Sequence, residues 1–260
     1  MLRNVIATRY VTPLREGGSV PAIVEGDDGG LHVVKFRGAG QGPRALIAEL
    51  LAGEVARQLG LRVPELVFID FDLALSRSEP DEEIREQLKA SAGLNLALDY
   101  LPGSLTFDPL ADAAPTREVA SSMVWFDAFV TNVDRTAKNP NLLTWHRDLW
   151  LIDHGAALYF HHAWDDPLRS SESPFAPIRD HVLLPWASAL READAALRPR
   201  LSRAYFEALV QEIPDAWLAH DSPFPDAAAH REAYVRFLEH RLASSQRFVE
   251  EAARAHAQLV

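Results

Sequence analysis

The spacing of apolar and polar residues predicts β-strands over most of the first hundred positions. Residues 22–25 and 31–36 lie on either side of the turn-forming sequence Gly-Asp-Asp-Gly-Gly, which predicts a β-hairpin. Two further apolar runs, at 62–72 and 94–101, predict additional strands. We therefore expect the chain to begin with an antiparallel β-sheet.

One helix is predicted to accompany this sheet. Pro43 suits the first turn of a helix, where a missing N–H costs nothing, and Gly60 is the kind of residue that ends one. Residues 76–92 are acidic and polar, and they predict an exposed insertion with a short helix of its own. The main helix should bury one apolar stripe, formed by Leu46, Leu50, Val55 and Leu59.

The pattern becomes helical in the second part of the chain. Apolar residues in 116–132 recur at helical intervals, and residues 227–257 predict one long amphipathic helix. Two short apolar runs, 142–145 and 149–152, flank the polar sequence His-Arg-Asp. These runs predict a small β-hairpin embedded among the helices.

Pro102-Gly103 is the natural boundary between the β-rich first part and the helical second part of the chain. A chain of 260 residues can form one large domain or two modest lobes. We expect a β-rich lobe at residues 1–101 and a helical lobe at residues 102–260, which together make an α+β protein.

Composition narrows the classes of protein that fit. With 48% hydrophobic and 24% charged residues, the chain is typical of a soluble globular protein without a membrane span. It has no cysteine and begins without the apolar stretch of a secretory signal, which favours the cytoplasm. A formal charge of −11 argues against a nucleic-acid partner, although small polyanions can bind where magnesium bridges carboxylates to phosphates.

A lysine inside an apolar strand is the first candidate functional residue. Of 26 basic residues only three are lysine, and Lys35 lies inside the predicted strand "LHVVKF". A compact ammonium can reach a phosphate where a planar guanidinium would not fit. The glycines that follow do not form a dinucleotide fingerprint, because Pro43 stands where the third glycine is required. We interpret them as a flexible connection between the strand and its helix.

The predicted hairpin gathers oxygen-bearing side chains. Asn139 precedes its first strand and Asp153 follows its second, so the turn brings these two residues together. Asp134 lies five positions before Asn139 on the entering loop. Two carboxylates and an amide oxygen are suitable ligands for magnesium, and phosphoryl transfer depends mainly on positioning and charge neutralisation.

Three stretches together resemble a known family: "VVKFRGAGQGPRALIAELLAGEVARQLGLRVPE", "TNVDRTAKNPNLL" and "LWLIDHGAAL". They are similar to the HipA-like kinases, bacterial relatives of the protein- and phosphoinositide-kinase fold, over roughly residues 10–160. The resemblance implies a two-lobed, protein-kinase-like α+β fold that binds ATP and magnesium between a β-rich N-lobe and an α-helical C-lobe. It departs from many protein kinases at Asn132, which replaces a histidine, and at His154, which replaces a phenylalanine.

The resemblance also implies roles for individual residues. Asp134 would orient and deprotonate an acceptor hydroxyl, while Asn139 and Asp153 would hold the metal. Lys35 would neutralise the nucleotide phosphates with Glu49 as its partner, Glu54 being the alternative on the same helix. Adenine would meet the backbone near Asp99 and Leu101, and the phosphates would lie under a loop containing Gly17, Gly18 and Ser19, with 37–43 as the other candidate loop.

Each residue also has an ordinary structural interpretation. Lys35 could be an edge-strand lysine, and Asp134 and Asn139 could be turn residues. Arg135 and Lys138 could guide the acceptor or the phosphates, or could pair with nearby carboxylates. The joint spacing of the site residues favours the kinase interpretation.

Four functions remain open from the sequence. Transfer of the γ-phosphate to a serine or threonine of a protein is the first expectation, and a small molecule or lipid headgroup is the alternative acceptor. A non-catalytic ATP-sensing module is a candidate from another class. Nucleotidyl transfer, with ATP bound in the reverse direction, is the fourth.

Overall fold

The structure is a computed structural model that describes residues 2–14, 20–40 and 42–259. In these residues, five strands form the first part of the chain: β1 (Arg3–Pro13), β2 (Ala22–Gly26), β3 (Leu31–Lys35), β4 (Leu66–Phe71) and β5 (Gly93–Asp99). They close into a barrel in the order β1-β2-β3-β5-β4. The predicted hairpin is the β2–β3 pair, and its inward-facing residues, such as Val24 and Val34, are fully buried.

The barrel closes because β1 pairs with two different strands. Residues Arg3 to Ile6 run parallel to β4, whereas the rest of β1 runs antiparallel to β2 with two shifts of register. Such irregularities bend a strand and increase its twist, which lets β1 pass from one neighbour to the other. The expectation of a purely antiparallel sheet is therefore wrong, because apolar alternation does not specify which distant strand is the partner.

Helix α1 (Pro43–Gln58) lies between the barrel and the helical region. Pro43 stands in its first turn, and Gly60 follows its end with φ of +80°, a conformation that favours glycine. Its buried residues surround the helix instead of forming one stripe. Glu49 is one of them, so the packing holds its carboxylate inside the protein.

Helix α2 (Glu82–Ala90) belongs to the segment that was expected to be an exposed insertion. Asp81 caps it by accepting hydrogen bonds from the backbone N–H groups of Glu83 and Ile84. Ile84 and Leu88 pack into the core of the barrel. The segment is thus partly buried and adds a second helix to the β-rich part, because two apolar residues are enough to dock a short helix.

The loop that carries Asp134 and Asn139 follows helix α3 (Arg117–Phe129). Strands β7 (Leu142–Trp145) and β8 (Asp148–Leu151) form the predicted hairpin, and β6 (Leu105–Thr106) adds a third strand. Its two-residue turn, His146-Arg147, has φ of +51° and +71°, the signature of the tight turns that match strand twist.

The remaining helices are α4 (Pro167–Ser171), α5 (Leu190–Leu197), α6 (Arg203–Val210), α7 (Asp215–Leu218), α8 (Ala227–Ala243) and α9 (Ser245–Ala257). The single long helix expected at 227–257 is wrong, since it breaks at Ser244. The Ser244 hydroxyl donates to the carbonyls of His240, at 2.9 Å, and Ser171, at 3.1 Å. A serine that bonds nearby carbonyls competes with the regular helix, and here it also ties the break to α4.

Two apolar cores stabilise the molecule. One fills the barrel, and the larger one joins α1 and parts of β4 and β5 to the helical region. The boundary at residues 102–103 stays a prediction. Within the described ranges, none of the helices has the length and apolar character needed to cross a bilayer.

Candidate active site

Lys35 is the last residue of β3, and its ammonium contacts two carboxylates. Nζ donates to Oε2 of Glu49 and to Oδ1 of Asp153, at 2.6 Å in both cases. Glu49 is completely buried, whereas the side chain of Asp153 is 45% exposed. The expected partner of Lys35 on α1 is therefore Glu49, and the alternative, Glu54, interacts instead with Arg57.

Burial and charge act in opposite directions on this pair. Desolvation alone would lower the pKa of Lys35, but the charges of Asp153 and Glu49 outweigh it and raise that pKa above its ordinary value. Desolvation would raise the pKa of Glu49, but Lys35 and a hydrogen bond from His154 lower it to about 2. Both groups are charged at neutral pH, which is the state that a phosphate site requires.

The end of the hairpin brings Asp153 to this pair. Ile152 N–H donates to the carbonyl of Asn141 at 3.1 Å, which extends the β7–β8 pairing toward the site. Asp153 then adopts φ of +54°, an uncommon conformation for a residue other than glycine. This turn directs its carboxylate to Lys35 on the opposite side of the cleft.

His154 makes a contact that the sequence interpretation missed. Its backbone N–H donates to Oε2 of Glu49 at 2.6 Å, and its ring nitrogen Nδ1 lies 3.3 Å from Oε1. A phenylalanine could make the first contact but not the second. The replacement of phenylalanine by His154 was the available signal, but its partner lies 105 positions away.

Asp134 lies on the loop between α3 and the hairpin. Its Oδ2 accepts a hydrogen bond from the side-chain amide of Asn139 at 2.8 Å, and a longer one from Asn141 at 3.4 Å. Its backbone N–H donates to Oδ1 of Asn132 at 3.1 Å. The five-residue spacing therefore puts Asp134 and Asn139 in direct contact.

A cleft of about 570 Å³ connects these groups with the barrel. This volume is within the range of small-molecule sites. Lys35, Asn139 and Asp153 line it together with apolar side chains. Asp134 does not line the cleft, but it accepts hydrogen bonds from Asn139 and Asn141, which do. The apolar lining comes from both sides of the cleft and includes Val33, Leu98, Leu101, Leu142, Leu143 and Ile152.

The segment after β5 supplies backbone groups at the same cleft. Tyr100 N–H donates to the carbonyl of Leu31, at 2.9 Å, and Asp99 N–H to that of Glu65, at 2.8 Å. The carbonyl of Leu101 accepts from Ser104, whereas no acceptor for the Leu101 N–H is found in the described part of the chain. Asp99, Tyr100 and Leu101 all line the cleft, which is where the predicted hinge should be.

The two candidate phosphate loops differ in how much of each the structure describes. Gly17, Gly18 and Ser19 lie outside the described residues. The other loop is anchored, because the Arg37 N–H donates to Asn95 at 2.9 Å and the Gly38 N–H to Ser91 at 3.0 Å. The interpretation of this loop as a flexible connection is therefore corrected.

Gly38 also has a steric reason to be glycine. A Cβ atom there would come within 2.8 Å of both Ala90 and Ser91. The described part of this loop lines a separate cavity, next to Trp217 and His220, and does not line the cleft of Lys35.

Arg135 does not face the cleft. Its side chain is buried and donates to Asp127 at 2.6 Å, so the ion-pair interpretation applies and the acceptor-guiding one does not. Lys138 is exposed on the same loop.

Comparison with known proteins identifies the class. A model of the HipA-like kinase family matches residues 7–250, and the chain therefore belongs to the HipA-like kinase family. The crystal structure of the Helicobacter pylori proinflammatory kinase CtkA is similar over 100% of both chains, with a TM-score of 0.59 and 13% identity. This likeness concerns the fold alone, and it confirms the predicted α+β kinase-like fold.

Two Golgi casein kinase structures are more distant. One has a TM-score of 0.46 and 12% identity, and covers 96% of this chain and 72% of that one. The other, with Mn/ADP bound, has a TM-score of 0.48 and 13% identity, and covers 96% and 73%. Comparison with curated protein sequences gives no match.

Proposed function

We propose that this HipA-like kinase transfers the γ-phosphate of ATP to a hydroxyl group, and that the acceptor is a serine or threonine of a protein. The double contact of Lys35 with Glu49 and Asp153 carries the proposal. A cation fixed by a buried carboxylate, and sharing a cleft with a second, more exposed one, is suited to bind nucleotide phosphates.

Backbone groups and apolar walls would hold the nucleoside. The N–H of Leu101 and the carbonyl of Asp99 would meet the polar edge of adenine, while Val33 and Leu142 lie among the apolar residues that would cover its faces. The phosphates would then extend toward Lys35.

The donor set fits magnesium that is shared with a nucleotide. In the described residues, no group of three or more histidine and carboxylate side chains could hold a metal by itself. Asp153 and Asn139 would therefore supply oxygen ligands from the protein and the phosphates would supply others, the arrangement that magnesium prefers. When bound, magnesium would neutralise charge on the phosphate oxygens.

Asp134 would orient the acceptor hydroxyl and accept its proton. Asn139 holds Oδ2, and in the described part of the chain no hydrogen bond engages Oδ1. The hydroxyl oxygen would attack the γ-phosphorus as the bond to the bridging oxygen breaks, so that ADP leaves and the proton passes to Asp134.

Membership of the HipA-like kinase family supports a protein hydroxyl as the acceptor. The test is incubation of the pure chain with magnesium and ATP labelled at either the γ- or the α-phosphate, alone and with a bacterial lysate. We expect γ-label on protein serine or threonine, and a loss of about 10²- to 10⁴-fold in Asp134→Asn. Label from the α-phosphate would indicate nucleotidyl transfer, and label only on small molecules or lipids would refute the protein acceptor.

Tight ATP binding without any transfer would refute the kinase proposal in favour of an ATP-sensing module. Asp148→Asn is the matched control, because Asp148 lies at the far end of the same hairpin and pairs with Arg62 at 2.9 Å. This variant should label acceptors as the unaltered chain does.

A further inference from the structure

Asp127 is a buried carboxylate that accepts hydrogen bonds from three other side chains. It lies two residues before the end of α3 and is completely buried. Its Oδ1 accepts from the amide of Asn132 at 2.9 Å. Its Oδ2 accepts from Nε of Arg135 at 2.6 Å and from Nε2 of His181 at 2.8 Å. Such a group keeps its charge only if its partners offset the cost of desolvation.

Two of these partners lie on either side of Asp134. Asn132 accepts the backbone N–H of Asp134 through its Oδ1 while its amide donates to Asp127, so one side chain links the two residues. Arg135 follows Asp134 directly in the chain. The backbone on both sides of Asp134 is therefore held by a single carboxylate.

Arg135 carries the connection on to the hairpin. Its guanidinium donates to the carbonyl of Asn141, just before β7, and to that of Ile152 at 3.1 Å. Ile152 immediately precedes Asp153. The same arginine thus contacts the residue before the hairpin, the residue after it, and Asp127 on the helix before the loop. These contacts link the position of Asp134 to that of Asp153.

His181 brings a distant segment to the same carboxylate. Its Nδ1 accepts the backbone N–H of Leu183 at 3.0 Å, so its proton must be on Nε2, which donates to Asp127. Val182 N–H also donates to the carbonyl of Arg135 at 3.0 Å. The segment 181–183 therefore docks on the loop through both side chain and backbone.

The charge state of Asp127 agrees with this geometry. Burial alone would raise its pKa, but the charge of Arg135 and the hydrogen bond from His181 outweigh that effect and lower the pKa below its ordinary range. Burial lowers the pKa of His181, with Asp127 opposing, which keeps the imidazole neutral at pH 7.

We propose that Asp127 is a positioning residue: through Asn132 and Arg135 it fixes the carboxylate of Asp134 relative to Asp153, and through His181 it couples the segment 181–183 to this geometry. The proposal rests on the proposed function, because it assigns Asp127 to the placement of the residue that would accept the proton. A displacement of about 1 Å at such a group can cost about 10²-fold in rate.

The test compares Asp127→Asn with Asp194→Asn. Asp194, on α5, accepts from the indole of Trp125, which lies on α3 like Asp127, at 2.8 Å. Within the described residues Asp194 shares no hydrogen bond or ion pair with the loop, so it is the matched control. Asparagine at 127 cannot accept on both of its side-chain heteroatoms. We expect kcat to fall about 10- to 100-fold in Asp127→Asn. KM for ATP should stay within about threefold of the unaltered chain, because in the described residues neither Lys35 nor the segment 99–101 shares a hydrogen bond with Asp127.

A second variant covers the case in which Asp127→Asn does not fold. Asn132→Ala removes the link to the Asp134 backbone but leaves the Asp127–Arg135 ion pair intact. It should show the same selective fall in kcat. Equal kcat in Asn132→Ala and in the control would overturn the proposal.

Amide hydrogen exchange separates this proposal from the proposed function. In Asn132→Ala, and in Asp127→Asn where it folds, exchange at residues 131–141 should be faster than in Asp194→Asn, whether or not the chain shows turnover. If the unaltered chain transfers no phosphate, the proposed function fails while the exchange result still decides the positioning role. Unchanged exchange in the loop would refute that role even in an active enzyme.

Discussion

At the scale of single residues, the contacts of Glu49 show why a buried carboxylate is retained beside a cleft. It accepts from Lys35 and from the backbone and ring of His154, so one group fixes both the ammonium and the end of the hairpin. A buried ion pair contributes little net stability, but removing one partner leaves the other uncompensated. The contribution of Glu49 here is to fix the positions of Lys35 and His154.

Glu49→Gln tests this role of the carboxylate. Glutamine keeps the size but loses the charge and one acceptor, so we expect phosphoryl transfer to fall about 10²-fold while the chain remains folded. Glu54→Gln is the matched control, because Glu54 lies on the same helix and interacts with Arg57. Transfer rates measured with labelled ATP would contradict the account if both variants were equally active.

At the scale of elements, a buried arginine joins α8 to the end of α3. Arg241 donates to the carbonyls of Ala128 at 2.7 Å and Ser171 at 3.0 Å, and its guanidinium lies 4.5 Å from the centre of the Phe248 ring. Burial lowers its pKa to about 9. A cation at the C-terminal end of a helix is favourable, and this one holds the end of α3 that leads into the Asp134 loop.

Arg241→Met should therefore destabilise the protein by about 3 kcal/mol, because buried carbonyls would lose their donor. Arg203→Met is the control, since exposed Arg203 pairs with three carboxylates but remains solvated, and exposed ion pairs contribute little. Urea denaturation of both variants checks the prediction. A larger loss in Arg203→Met would mean that the number of ion pairs, and not burial, decides stability here.

The elements also explain what could be predicted from the sequence. The β2–β3 hairpin, α1 and the β7–β8 hairpin follow from local periodicity and turn residues. The sequence predicted that Asp134 and Asn139 lie at the same end of the second hairpin, but not that they form a direct hydrogen bond. The parallel β1–β4 pair and the break at Ser244 depend on distant contacts. Asp127 was unrecognised because it lies among the buried residues of α3, and local spacing carries no information about its partner His181, 54 positions away.

At the scale of the whole molecule, three buried histidines make stability depend on pH. Burial lowers the pKa of His161 well below its ordinary value, and it also lowers the pKa values of His181 and His230. Below the unfolded pKa of about 6.5, the unfolded chain binds protons that the folded chain does not, so unfolding becomes easier as pH falls.

We expect the melting temperature to fall steadily between pH 7.5 and 5.5, with up to about 1.4 kcal/mol lost per pH unit for each such histidine. His161→Phe should reduce this slope because it removes one buried titrating group. A melting temperature that is constant over this range would contradict the interpretation. Calorimetric scans in matched buffers provide the measurement.

The central claim is that Lys35, Asn139 and Asp153 form a site for ATP with magnesium, and titration calorimetry tests it most directly. The unaltered chain should bind ATP saturably and only with magnesium present. Asp153→Asn should weaken that binding about tenfold or more, because a charged ligand oxygen is lost, while Asp148→Asn on the same hairpin should bind normally. No binding by the unaltered chain, or equal binding by Asp153→Asn, would contradict the account.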